Sequence, residues 1–283
     1  MAYVEFAPAK VNLTLRVLGR RTDGYHEIDS LVVFADVGDA LSLVPGPSLG
    51  LDVEGPGAAA IVGENIVVRT ARMAAESRPG LRLGRFMLRK VLPVAAGIGG
   101  GSSNAAAALR LVAAANPDAI DAVTLAGIAA RIGADVPVCL SARLSRMRGL
   151  GERVERLPAI APLAAVLVNP GVPLATRQVF AALAAPSLLC QPPDTLAGTD
   201  RPAILATVAE GGNDLEPTAR RLLPVIGDVL AALAQGSECR IARMSGSGPT
   251  CYGLYGSMVS AAAAARRIAV AQPLWWVRAT ALH

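Results

Sequence analysis

The chain has 283 residues, 53% of them apolar and only 4% aromatic, with a formal net charge of +5, a length that suits two domains, each with its own core. Charge, glycine or proline interrupts every apolar stretch before the roughly 18 residues a membrane span needs, and the opening MAYVEFAPAK lacks the regions of a signal peptide, so a cytoplasmic protein with no membrane partner is expected. No nucleic-acid partner is expected either: the basic residues are spread out, the densest group (143–156) is interleaved with Glu152 and Glu155 as a solvated face would be, and too few aromatics accompany them for base stacking.

Residues 4–17 and 31–44 alternate as strands do, joined by GRRTDGYHEIDS, a polar turn around Asp23 and Gly24. Residues 45–57 read as a turn-rich connector, 65–77 as a helix ended by Pro79 and Gly80, and 81–92 as a further strand. A glycine cluster then opens into an alanine-rich helix that stops at Asn116 and Pro117, and another helix runs from Thr124, read as its N-cap, to Gly133. Proline punctuates 157–162, which sets a domain boundary there, giving domains 1–158 and 159–283. LAAVLVNPG follows as a buried strand and turn, then helices near 176–185, 204–210, 216–235 and 260–270 and strands near 240–244, 251–255 and 275–280. The order lacks a regular βαβ period, so two-layer α+β sandwiches are expected. Cys139, Cys190, Cys239 and Cys251 lack C-x-x-C spacing and read as reduced, structural thiols.

Chemistry concentrates at a few positions. Gly97, Gly99, Gly100 and Gly101 allow positive φ and close approach of a ligand, and Ser102 or Ser103 can cap the helix that follows, whose free N–H groups face an anion. The spelling excludes a Walker loop, which needs a lysine, and a dinucleotide fingerprint, which needs glycine where Ser102 stands; the plain alternative is a glycine turn before an ordinary helix. Gly246, Ser247 and Gly248 form a second glycine-rich loop, either a phosphate nest or a tight hairpin turn. Asp135 follows a glycine turn and is either a general base or a helix cap. Lys10 is one of only two lysines among 27 basic residues, a placement that suggests a task for a compact ammonium. His26 and His283 are the only histidines and no G-x-S-x-G occurs, which sets a serine hydrolase aside; Tyr25 and His26 suit stacking on a planar base, or simple packing.

Taken together, PAKVNLTLRVLGRRTDGYHEIDSL, LPVAAGIGGGSSNAA, GADVP, NPGV, NDLE and SGSGP resemble the GHMP kinase superfamily. PAKVNL followed by DGYHE points to its branch acting on cytidyl-methylerythritol. The resemblance implies an α+β, two-domain GHMP kinase fold, with an N-terminal ribosomal-protein-like α/β domain, a C-terminal ferredoxin-like domain and the active site in the cleft between them. It implies transfer of the γ-phosphoryl group of ATP to the C2 hydroxyl of the erythritol unit, with Mg2+ expected. Asp135 would be the base, Lys10 its cationic partner and Asn12 a contact of the erythritol. Tyr25, His26 and Phe180 would enclose the cytosine, with Thr176 touching the substrate. Pro93 and the run Gly97, Ile98, Gly99, Gly100, Gly101, Ser102, Ser103 and Asn104 would wrap the ATP phosphates, with Asn65 near the adenine and Lys90 a neighbour of the nucleotide; Gly246, Ser247 and Gly248 would close over the reacting phosphates. The chain departs from the pattern at Ala95 and Ala96, where glycines are common, and in the arginine-rich stretch 141–152. No equivalent of the superfamily's magnesium-binding glutamate is found, which leaves the metal ligands open, with Ser103 as a candidate. The alternatives are a kinase of another small alcohol, such as mevalonate or homoserine, and an RNA-binding module, which would leave both glycine loops without a role.

Overall fold

The structure is a computed structural model that describes residues 2–188, 198–236 and 238–283; Cys190 lies outside them. Three strands open the chain, β1 (Tyr3–Asn12), β2 (Arg16–Arg20) and β3 (His26–Pro45). The expected connector contains a strand, β4 (Gly50–Glu54), paired in parallel with β5 (Gly84–Arg89). The prolines and glycines at both of its ends conceal so short an element, in which only Leu51 and Val53 are apolar. Helix α1 (Ile66–Ser77) starts at Asn65, whose Oδ1 accepts the Val67 N–H at 2.9 Å. Helix α2 (Gly100–Ala115) follows the first glycine loop, and α3 (Ala122–Ile132) starts ahead of Thr124, because Asp121 is the cap and accepts the Thr124 N–H at 2.7 Å. Then come α4 (Val136–Ser141), the hairpin β6 (Ser145–Gly149) and β7 (Arg153–Arg156), and β8 (Leu163–Asn169).

After β8 run α5 (Thr176–Ala181) and α6 (Arg201–Glu210). The helix expected over 216–235 is two, α7 (Glu216–Leu222) and α8 (Val225–Ala234). Pro224 separates them, since it lacks an N–H and its ring collides with the preceding turn. Strands β9 (Cys239–Met244) and β10 (Cys251–Tyr255), helix α9 (Met258–Ala271) and strand β11 (Trp276–Leu282) complete the chain.

Two compact units emerge. The first collects Met1–Ala9, Val37–Val94 and Gly99–Ala142. Its sheet runs β4, β5 and the latter half of β3, with Ala40 opposite Arg89 and Val44 opposite Arg85. Helix α2 is buried nearly all round, from Ser103 to Leu109 without a break, and α1, α3 and α4 lie against it. Its alanines let those helices approach closely and form a dense apolar layer.

The second unit is Lys10–Asp36, Ala95–Ile98 and Arg143–His283. Its main sheet has the order β3, β11, β8, β10, β9, antiparallel at each step, with β8 opposite β11 from Trp276↔Asn169 to Leu282↔Leu163. Val166 and Val168, two apart on one face of β8, pack with Leu215, Ile226, Val229 and Ile268. The hairpin β6–β7 lies along β3 over Ile28–Val32. Here the arginines are not simply the solvated face expected for 143–156. Arg146 is 4% exposed and makes a two-pronged ion pair with Asp29 (Nε–Oδ1 2.9 Å, Nη2–Oδ2 2.5 Å). Glu27, 1% exposed, accepts from Arg153 at 2.5 Å and from Arg21 at 3.1 Å. Cys139, Cys239 and Cys251 are free thiols, as the spacing suggested.

Candidate active site

In the first unit the glycine loop delivers the chain into α2 at Gly99, whose φ of 63° lies in the left-handed region that glycine adopts without strain. No side chain caps this helix. Neither Ser102 nor Ser103 does so: the Ser103 hydroxyl instead donates to the Pro8 carbonyl at 2.6 Å, because it points into the packed interior. The first N–H groups of α2 are therefore left for an outside acceptor at the positive end of the helix dipole.

Beneath this helix start lies Asp39, fully buried. Its Oδ2 accepts from Lys90 Nζ at 2.6 Å and Asn104 Nδ2 at 2.9 Å, and its Oδ1 from the Val91 and Leu92 N–H groups at 2.7 and 2.8 Å. Lys90 and Asn104 thus turn their heads onto a carboxylate that ties β3, the end of β5 and α2 together. The aliphatic stem of Lys90 also limits its neighbours, since a Cβ on Gly57 would lie 2.7 Å from its Cγ. Asp39 went unremarked in the sequence, although it shares phase with Leu41 and Leu43 on the buried face of β3, and an acid in that phase must be paired. Asn65 spends its Oδ1 on capping α1, and Pro93 sits in the loop, half-buried. Asp135 is the N-cap residue of α4, but its carboxylate makes no capping hydrogen bond, so the helix-cap reading of this acid is not realised.

In the second unit, Lys10 and Asn12 stand two apart on β1, both nearly buried, and Lys10 Nζ donates to Asn12 Oδ1 at 3.0 Å. Asn12 Nδ2 donates to Ser30 Oγ at 2.7 Å, which donates on to the Thr14 carbonyl at 2.5 Å, so the asparagine amide is fixed and the ammonium with it. The Asn12 N–H donates to Ser245 Oγ at 3.0 Å, and the Lys10 N–H to the Ile98 carbonyl at 2.9 Å. The residues of both glycine loops that belong to this unit, Gly97 and Gly246 to Gly248, touch backbone to backbone. A Cβ on Gly97 would fall 2.4 Å from the Gly248 carbonyl oxygen, and one on Gly246 would fall 2.9 Å from the Gly97 carbonyl oxygen. The second loop is also the turn between β9 and β10, so the hairpin reading and the nest reading describe the same residues.

A cavity of about 1090 Å3 opens in the same unit, walled by Tyr25, His26, Thr176 and Phe180 among others. The His26 and Phe180 rings are 5.2 Å apart and tilted by 31°, while Tyr25 is 63% exposed and available for a face-on contact. Burial lowers the His26 pKa, and the nearby Arg20 charge lowers it further, so the imidazole is held neutral and offers one donor and one acceptor. Thr176 and Ser247 share a hydrogen bond of 2.8 Å, which joins the cavity wall to the second glycine loop. Among the described residues no group of three or more His, Cys, Asp or Glu side chains could hold a metal ion, and the Asp39 carboxylate is fully engaged.

Two family profiles match the chain: the GHMP kinases N-terminal domain over residues 65–143 and the GHMP kinases C-terminal domain over 200–271. A protein of Methylorubrum extorquens (strain PA1) named 4-diphosphocytidyl-2-C-methyl-D-erythritol kinase is 52% identical over 283 residues, 98% of this chain and 97% of that protein. The chain belongs to the GHMP kinases, within the 4-diphosphocytidyl-2-C-methyl-D-erythritol kinase family. A second such kinase, from Bradyrhizobium sp. (strain BTAi1 / ATCC BAA-1182), is 50% identical over 97% of this GHMP kinase and 94% of its own length. A crystal structure of 4-(cytidine 5'-diphospho)-2C-methyl-D-erythritol kinase superposes on this GHMP kinase with a TM-score of 0.78 at 36% identity, covering 99% of both chains. Homoserine kinase from Cytophaga hutchinsonii superposes with a TM-score of 0.71 at 18% identity over 99% of this chain and 94% of its own, and shares the fold. Among the described residues no helix is long and apolar enough to cross a membrane.

Proposed function

We propose that this GHMP kinase transfers the γ-phosphoryl group of ATP to the C2 hydroxyl of 4-diphosphocytidyl-2-C-methyl-D-erythritol, a step of non-mevalonate isoprenoid precursor synthesis. The observation that carries the reading is identity near one half, over essentially the full length, to proteins bearing that name. The ring-lined cavity at Tyr25, His26 and Phe180 supports it, since neutral imidazole and two aromatic faces suit a cytosine. The main-chain N–H groups of Gly97, Ile98, Gly99, Gly100, Gly101 and Ser102 hold the ATP phosphates, and Pro93, Ser103 and Asn104 complete the loop around them; Asn65 faces the adenine, and Lys90 acts on the loop through Asp39.

In this reading Asp135 accepts the proton of the substrate hydroxyl as its oxygen attacks the γ-phosphorus and ADP departs. Lys10, aimed by Asn12, supplies positive charge for the developing alkoxide, and Asn12 contacts the erythritol. Thr176 touches the substrate, and Gly246, Ser247 and Gly248 close over the reacting phosphates. Mg2+ is proposed as a companion of the nucleotide, held mainly by phosphate oxygens and water, the usual habit of this ion where protein carboxylates are few. A cytoplasmic location, a division near residue 158 and no partnership with nucleic acid or membrane belong to the same proposal. The test is coupled ADP release with the cytidyl substrate beside mevalonate and homoserine: turnover of the first alone is expected, and turnover of either other alcohol alone overturns the assignment.

A further inference from the structure

The NDLE sequence, residues 213–216, has no part in the chemistry above, yet Asn213 and Glu216 both grip the chain at the second glycine loop. Asn213 is 7% exposed, and its Nδ2 donates to the Met244 carbonyl at 2.8 Å and the Gly246 carbonyl at 2.7 Å. Its Oδ1 accepts the Leu215 N–H at 3.0 Å, so the amide has one possible orientation; flipped, it would set an oxygen against two carbonyls. Glu216 accepts the Met244 N–H at 2.9 Å, and Asp214 accepts the Val17 N–H at 2.7 Å.

Peptide planarity turns this grip into an aiming device, because the C=O and N–H of one trans peptide point in opposite directions. Drawing the Met244 carbonyl toward Asn213 sends the Ser245 N–H the other way, where it meets the Thr250 carbonyl at 2.9 Å. Drawing the Gly246 carbonyl toward Asn213 sends the Ser247 N–H the other way too, but there it meets no acceptor among the described residues. Ser247 is only 6% exposed, and a buried N–H without a partner is rare enough to require an explanation. Its hydroxyl is already engaged with Thr176, and the flanking glycines have φ of 56° and 79°, the concave arrangement that exposes main-chain N–H groups to an anion.

We propose that Asn213 is a positioning residue that aims the Ser247 main-chain N–H at an oxygen of the transferring phosphoryl group. This rests on the kinase reading above and adds to it a residue that never touches substrate. Asn213→Asp separates aiming from structure, since it keeps the acceptor for Leu215 and loses both donors to the loop. With wild-type enzyme turning over the cytidyl substrate, the variant is expected to have a lower thermal midpoint, since a carboxylate oxygen then faces two carbonyls, and, assayed well below that midpoint, to lower kcat on the order of ten- to a hundredfold with both KM values within about threefold. An unchanged kcat overturns the proposal. As an arm independent of how the variant folds, the Ser247 amide resonance of 15N-labelled wild-type protein should move downfield when a non-hydrolysable ATP analogue and the cytidyl substrate bind together; an unmoved resonance overturns it as well. A wild-type enzyme inactive on that substrate would instead refute the kinase assignment, and an unmoved Ser247 resonance with the ATP analogue alone would then overturn the aiming as well.

Discussion

At the residue scale, Asp39 shows how one buried acid ties the start of a helix to the strands beneath it. Four donors converge on its carboxylate, and Asp39→Ala would leave the Lys90 ammonium buried without a counter-charge. Stability should fall by about 3–5 kcal/mol, read from urea titration, and a loss under 1 kcal/mol would show that the pair is not needed. Asp135→Ala should cost roughly a hundred- to ten-thousandfold in kcat while ATP affinity by calorimetry stays within about twofold; full turnover in that variant would dismiss it as the base. His26 makes a prediction in pH. Burial first and Arg20 second lower its pKa from 6.5, so as pH drops below the ordinary value the unfolded chain takes up the proton before the folded one. Its contribution to stability is therefore complete above that value and declines as pH falls toward the folded pKa. The imidazole C–H resonance should titrate below 6.5, and Arg20→Gln should raise the midpoint; a fall would contradict the assigned cause.

At the element scale, the glycines divide by what surrounds them. Gly97 combines a φ of 72° with a carbonyl oxygen 2.4 Å from where a Cβ would stand, whereas Gly101 faces open space. Gly97→Ala should destabilise by at least about 1 kcal/mol and part the two loops, with a matching loss of kcat, while Gly101→Ala should leave the thermal midpoint where it is. The glycine loop, the strand bearing Lys10 and Asn12, and the helix starting at Asn65 were legible in the sequence because each is set by neighbours along the chain: alternation, a cap, a run of small residues. What stayed hidden depends on distant partners. Nothing near Arg146 announces Asp29, 117 residues away, and nothing near Asn213 announces the carbonyl of Gly246. Likewise the serines after Gly101 resemble caps on paper, yet Ser103 is drawn to Pro8, which precedes it by 95 residues.

At the scale of the whole molecule, excess positive charge without aromatic interleaving suits small anions, in keeping with membership of a kinase family. Cytidine nucleotides should compete with the alcohol substrate and not with ATP, and Tyr25→Ala should raise the KM for that substrate about tenfold; competition with ATP alone would move the cytosine site elsewhere. The fate of lysine has a practical corollary. Both lysines, Lys10 and Lys90, are 4% exposed, so every other basic side chain the protein shows to solvent is a guanidinium. Reagents that acylate primary amines should leave the native surface almost unmarked beyond the chain terminus and add two further groups only after unfolding. Counting acyl adducts by mass spectrometry would thus meter global opening of this enzyme directly, and cross-linking or immobilisation strategies that rely on surface amines will find almost nothing to hold.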